Sequence, residues 1–266
     1  MSDEGVCAAT ELVGATRELI KNLTLRDWAA DSACRGWRVQ DLVGHMAFFF
    51  NFIADPELIL PDNPSGMAER LNDAVVAQNA QWMPAQVIDY YNAQSEIGLE
   101  TLAALQEEPL RDQPLPLLDL GTYRMAQLAD AVAFDHLVHL DSDLFTPTRV
   151  SATAQIPVEA AINPALDWML AGLRGMCGTA LAPLLDAPIG LCLTGATDRS
   201  FTLARDAADP TTITAAETVQ LPDDVAVSDA LDFTRWATRR TAWRSAVDLG
   251  GDHARVAAVL DAVHVV

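Results

Sequence analysis

Lysine is almost missing from this 266-residue chain: Lys21 stands alone against sixteen arginines. Positive charge as a whole is scarce, with 17 Lys+Arg against 37 Asp+Glu and a net charge of −20. Such a field repels phosphate backbones and anionic lipid, which excludes nucleic acid and membrane surfaces as partners. No apolar run approaches the roughly 20 residues of a membrane-spanning helix, and Met46–Ile53, the richest, falls far short. Cysteine is sparse and scattered. Cys7, Cys34, Cys177 and Cys192 form no C-x-x-C pair, so zinc fingers and thioredoxin-type motifs are excluded and reduced thiols are expected. G-x-S-x-G, H-E-x-x-H, phosphate-loop and G-x-G-x-x-G motifs are also missing. The start, Met1-Ser2-Asp3-Glu4, is acidic where a signal peptide is basic, so a cytoplasmic location is expected.

Apolar residues, by contrast, make up 50% of the chain and charged residues 20%. That is enough for a sizeable core, in one large domain or two ordinary ones. Helical periodicity dominates the first half. Ser2 can cap a helix carrying Val13, Leu19, Ile20 and Leu23. A second helix begins near Val39, a third covers Pro84 to Leu105, and a fourth runs from Tyr123 to Asp143. Prolines 109, 114 and 116 interrupt between the last two. Past Thr146-Pro147-Thr148, a linking helix is expected over Val158 to Leu184. The pattern then changes near Pro188. Ile189–Thr194, Phe201–Arg205 and Thr211–Ala216 read as short strands, followed by helices over Ser228–Trp243 and His253–Val263. The expected class is α plus α+β, a helical bundle over 1–183 and a small α+β domain over 184–266.

Three polar residues fall where apolar ones belong. His45 lies among Leu42, Met46 and Phe49 on the apolar stripe of the second helix. On the fourth, Asp135 and His139 differ by about 40° and continue the stripe of Leu128 and Val132, while His136 is turned about 100° away. A buried carboxylate is costly unless paired, and a divalent metal ligated by it and two neutral imidazoles removes that cost. Such a set leaves a coordination position open. The same spacing also suits a core histidine beside an ordinary i,i+4 pair.

The residues around these three carry a resemblance. Cys34-Arg-Gly36-Trp37-Arg-Val39-Gln-Asp41-Leu42-Val43-Gly-His45 resembles the C-x-G-W-x-V-x-D-L-x-x-H segment of the mycothiol-dependent maleylpyruvate isomerase family. Phe134-Asp135-His-Leu-Val138-His139-Leu-Asp141 resembles that family's F-E-x-x-V-H-x-x-D segment. The resemblance implies a DinB-like four-helix bundle followed by a sterol-carrier-like C-terminal domain. It implies a divalent metal, zinc, on His45, Asp135 and His139, with the thiol mycothiol as cosubstrate and a small organic molecule as substrate. It also implies a catalytic arginine in the C-terminal domain, for which Arg239 or Arg240 matches by position within the arginine-rich stretch Arg235–Arg244. Cys34, Gly36 and Trp37 are expected to shape the start of the second helix.

Asp135 replaces the family's glutamate, and Arg38 replaces its Ser/Thr cap, which leaves Asp41 without its capping partner. A metal with an open position holds a thiol as its nucleophilic thiolate. The implied chemistry is therefore cis–trans isomerisation or S-transfer, in a monomer or homodimer. The alternatives are a metal-dependent hydrolase and a non-catalytic metal-binding or ligand-binding protein.

Overall fold

The computed structural model describes residues 3–144 and 155–266, so Ser2 and the Thr146-Pro147-Thr148 link lie outside the described residues. Two compact units emerge: Met1–Leu118 with Tyr123–Ala165, and Asp119–Thr122 with Leu166–Val266.

The first unit is helical. In α1 (Asp3–Asn22) buried Ala8, Ala9, Leu12, Val13, Thr16, Leu19 and Ile20 recur at helical spacing, with Asp3 and Glu4 at the positive end of its dipole. A short α2 (Leu25–Trp28) starts on a Thr24–Asp27 capping box. Next come α3 (Val39–Ala54), α4 (Ala68–Gln78) and α5 (Pro84–Ala104), the last with proline at its first position, where no amide donor is needed. The proline-rich stretch forms a two-stranded ribbon of β1 (Pro114–Pro116) and β2 (Thr122–Arg124). α6 (Leu128–Val138) then runs into a π-helical turn, His139–Leu144. The expected start at Tyr123 is overridden, because Tyr123 and Arg124 are spent on the ribbon and a 3-10 turn precedes Leu128. α3 packs on α5 and α6, and α1 packs on the same two helices. α4 closes over α3 through Phe48, Leu71 and Val75.

α7 (Val158–Met176) contains the division between the units and leads to the short α8 (Gly178–Leu181). The second unit is built on a five-stranded sheet of β3 (Ile189–Thr194), β4 (Arg199–Arg205), β5 (Ile213–Glu217), β6 (Val225–Asp229) and β7 (Val247–Gly250). Its order is β5-β4-β3-β6-β7. The β3–β6 pair is parallel and the other pairs are antiparallel. Inward Leu191, Leu193, Phe201 and Leu203 are almost fully buried. α9 (Ala230–Ala237) and α10 (His253–Ala262) begin at Asp229 and Asp252, whose carboxylates accept the first free amides.

The α3–α5 contact depends on one glycine. A β-carbon on Gly98 would stand 2.3–2.8 Å from Phe50 atoms, including its Cβ, and Phe50 is fully buried. Gly98→Ala gains helix propensity but forces this contact apart, and overpacking of that kind costs about 1–3 kcal/mol. The expected result is a lower denaturation midpoint. An unchanged or raised midpoint would mean that Phe50 can move aside.

Candidate metal centre

The loop before α3 is fixed by its own backbone. The amide and hydroxyl of Ser32 both donate to the Trp37 carbonyl at 2.9 Å, and the Trp37 amide donates to the Cys34 carbonyl at 3.0 Å. Gly36 at φ 86° supplies the left-handed turn. Arg38, as N-cap, has no acceptor to offer α3. Asp41 nevertheless keeps a partner, accepting from the Arg38 amide at 2.9 Å and from its guanidinium at 2.7–2.9 Å. The expected loss of that partner is thus corrected: the arginine closes the other half of the box and adds an ion pair. Trp37 donates its indole N–H to Asp73 at 3.1 Å and lies 5.2 Å from the His45 ring.

His45 on α3 and Asp135 on α6 meet at 3.1 Å, Nε2 to Oδ1. His139 brings its Nε2 to 3.4 Å from the same oxygen. The two imidazoles stand edge to face with centroids 5.3 Å apart. The three side chains are 9, 12 and 11% exposed, and their ligand atoms lie within 4.8 Å of one another. His139 Nδ1 is 2.7 Å from Oδ2 of Asp143, which is buried. Asp143 therefore accepts a hydrogen bond from Nδ1–H and turns Nε2 toward the other two side chains, as carboxylates do beside metal-bound histidines. His45 Nδ1 and Asp135 Oδ2 are buried without a hydrogen-bond partner among the described residues. The donor set fits a divalent ion. His136 is separate: its Nε2 is 3.1 Å from the Tyr91 hydroxyl, and its Nδ1 lies 3.4 Å from the other Asp135 oxygen, outside the ligand cluster.

Burial works to raise the Asp135 carboxyl, but the His139 and His45 imidazoles hold it well below the usual carboxylate range. Burial likewise works to depress His139, and the Asp135 charge, with hydrogen bonds to Asp135, Asp143 and Cys34, holds it well above the usual imidazole range. Without metal, the centre is a buried ion pair.

Two members of the neighbourhood are hidden in the sequence. Asp143, rather than Asp141, bonds His139, and its only signal is H-x-x-x-D spacing. Cys34, expected merely to shape the loop, points its Sγ to within 3.3 Å of Asp143 and 4.0 Å of His139 Nδ1. Arg239 and Arg240 belong to the second unit. They do not lie on the expected helix, because α9 ends at Ala237 and the Thr238 hydroxyl bonds back to the Thr234 carbonyl at 2.6 Å. Exposed Arg239 sits at φ 60°, and half-buried Arg240 donates its amide to the Arg235 carbonyl at 2.9 Å. Arg235 and Arg244 are paired with Asp232 and Asp261.

Fold and site together define a helical protein with a candidate His–Asp–His metal centre and an α+β unit further along the chain. The family model for the mycothiol maleylpyruvate isomerase N-terminal domain matches residues 9–141, and the chain belongs to that family. Two solved structures share its fold. A mycothiol-dependent maleylpyruvate isomerase is 12% identical with a TM-score of 0.57, and a single-site mutant of the mycothiol-dependent maleylpyruvate isomerase is 10% identical with a TM-score of 0.56. Each match covers 94% of this chain and 92% of the other. No curated protein matches it.

Metal binding is expected to displace the proton that the carboxylates hold on His139, so affinity should fall as pH falls, with proton release on binding at neutral pH. Calorimetry in buffers of differing ionisation enthalpy reads this directly, and uptake without proton release would contradict the assignment. His45→Ala should abolish stoichiometric metal, Asp143→Asn should weaken it by about 10–100-fold, and His136→Ala should leave it largely intact. In the metal-free protein, the raised His139 contributes stability that is lost as pH rises through its folded pKa. The depressed Asp135 contributes stability that is lost as pH falls through its own. Denaturation midpoints should therefore peak between those two titrations, and a monotonic profile would contradict the pairing.

Proposed function

We propose that this chain is a metal-dependent enzyme that uses mycothiol for the isomerisation or S-transfer of a small organic substrate. The observation that carries this reading is the His45–Asp135–His139 set, oriented by Asp143, in a member of the mycothiol maleylpyruvate isomerase family. On this reading the first unit is a DinB-like four-helix bundle of α1, α3, α5 and α6, and the second is a sterol-carrier-like α+β domain. The ion is zinc, in a cytoplasmic enzyme that acts as a monomer or homodimer. Bound there, it supplies a Lewis-acid position at which a thiol is held as its thiolate.

The chain's own residues do the rest. Asp135 stays ionised at any physiological pH, held so by its imidazole neighbours. Asp143 fixes the His139 tautomer and ring orientation. Trp37, tilted at 55° beside His45 with ring centroids 5.2 Å apart, keeps bulk water off that imidazole.

Arg239 and Arg240 are the cations that receive an anionic substrate, which a chain of net charge −20 otherwise repels. The left-handed backbone at Arg239 supports a functional role, since non-glycine residues adopt it rarely and at some cost. The ligand-carrying alternative finds less support. The gap in the second unit beside Leu191, Phe233, Trp236 and Val259 has a volume of about 10 Å³, room for a single water rather than a lipid.

Zinc-loaded protein is expected to bind mycothiol with measurable heat, and cobalt-substituted protein to change its visible spectrum on adding the thiol. Both signals should vanish in His45→Ala. A loaded protein that shows neither signal, or that hydrolyses substrate without thiol, would overturn the assignment.

A further inference from the structure

Beside the first ligand set lies a second one that contains sulfur. Cys34 Sγ, His139 Nδ1 and Asp143 Oδ2 are mutually close, at 3.3 Å sulfur to oxygen, 4.0 Å sulfur to nitrogen and 2.7 Å nitrogen to oxygen. Zinc–ligand bonds of about 2.0–2.3 Å at tetrahedral angles separate donors by about 3.3–3.7 Å, and a larger ion by somewhat more, so shifts of about an ångström would enclose an ion. The set is also held in place. The Ala33 amide donates to the Asp143 carbonyl at 3.3 Å, tying the Cys34 loop to the π-helical turn, and the Cys34 amide donates to Ser32 Oγ at 3.2 Å.

We propose that Cys34, His139 and Asp143 form a second metal position, selective for a thiophilic ion such as cadmium and exclusive of the first. The selectivity follows from the donors, since thiolate prefers soft ions and the His45–Asp135–His139 set has none. The exclusivity follows from His139, whose neutral ring has one free nitrogen. An ion on Nε2 leaves the proton on Nδ1, where it is donated to Asp143. An ion on Nδ1 displaces that proton to solvent and leaves the ring's remaining proton on Nε2, which faces Asp135 at 3.4 Å. Binding at the second position also releases the Cys34 thiol proton to solvent. A soft ion there withdraws His139 from the first set and inhibits whatever that set does.

The test is cadmium chloride titrated into the metal-free full chain, carrying Cys7→Ser and Cys192→Ser to remove the exposed and half-exposed thiols. The readout is the ultraviolet thiolate-to-cadmium charge-transfer band. The band should saturate at one equivalent, persist in His45→Ala and be lost in Cys34→Ser. Cadmium binding without the band, a band that survives Cys34→Ser, or one lost in His45→Ala would overturn the proposal. Cadmium NMR with Cys34 intact decides the same point should Cys34→Ser fail to fold: a sulfur-ligated resonance is expected, and an all-nitrogen-and-oxygen one refutes it. Zinc binding at the first set does not require Cys34, so that reading stands or falls separately.

Discussion

The carboxylate of Asp135 is the constraint around which the first unit is arranged. It lies inside a helical interior with its side chain 12% exposed, where an unpaired charge costs several kcal/mol. Three imidazoles surround it: His45 from α3, His136 from its own helix and His139 from the π-helical turn that follows. Hydrogen bonding cannot satisfy every atom in so crowded a centre, and Asp135 Oδ2, His45 Nδ1 and His136 Nδ1 have no hydrogen-bond partner among the described residues. Folding alone would not favour such an arrangement over a well-packed apolar one. A cation ligated by His45, Asp135 and His139 would account for it, and buried titratable groups with strongly perturbed pKa values of this kind cluster at functional sites.

The surrounding structure serves to hold these donors still. The Ser32–Trp37 hydrogen bonds and the Arg38–Asp41 pair set where α3 begins, and so place His45 two turns along it. On the other side, α6 changes to π-helical geometry at His139, the residue whose two nitrogens face two different carboxylates. Local π-helical turns of this sort are rare and concentrate at functional positions.

Much of this was legible because the strongest signals are periodic. α3 and α5 begin where apolar spacing and Pro84 put them, and β3 spans the expected Ile189–Thr194. The same helical phase that put Asp135 and His139 on one stripe kept His136 off it, and His136 bonds Tyr91 instead. What escaped depends on contacts distant in sequence. α4 buries only Leu71 and Val75, too few to make a stripe. β6 and β7 are short strands completed by their neighbours rather than by their own composition. The arginine-rich stretch has helical composition, yet Thr238 and the left-handed Arg239 end α9 early. Cys34 reaches the centre only because Ala33 bonds to the turn carrying Asp143, more than a hundred residues on.

X-ray absorption at the zinc edge, on protein loaded with one equivalent of zinc before and after adding mycothiol, tests the central claim most directly. The account predicts a nitrogen/oxygen shell at about 2.0–2.1 Å with outer-shell scattering from two imidazoles, and a sulfur neighbour at about 2.3 Å only after the thiol is added. A sulfur neighbour already present without mycothiol, or a shell without imidazole scattering, would contradict it.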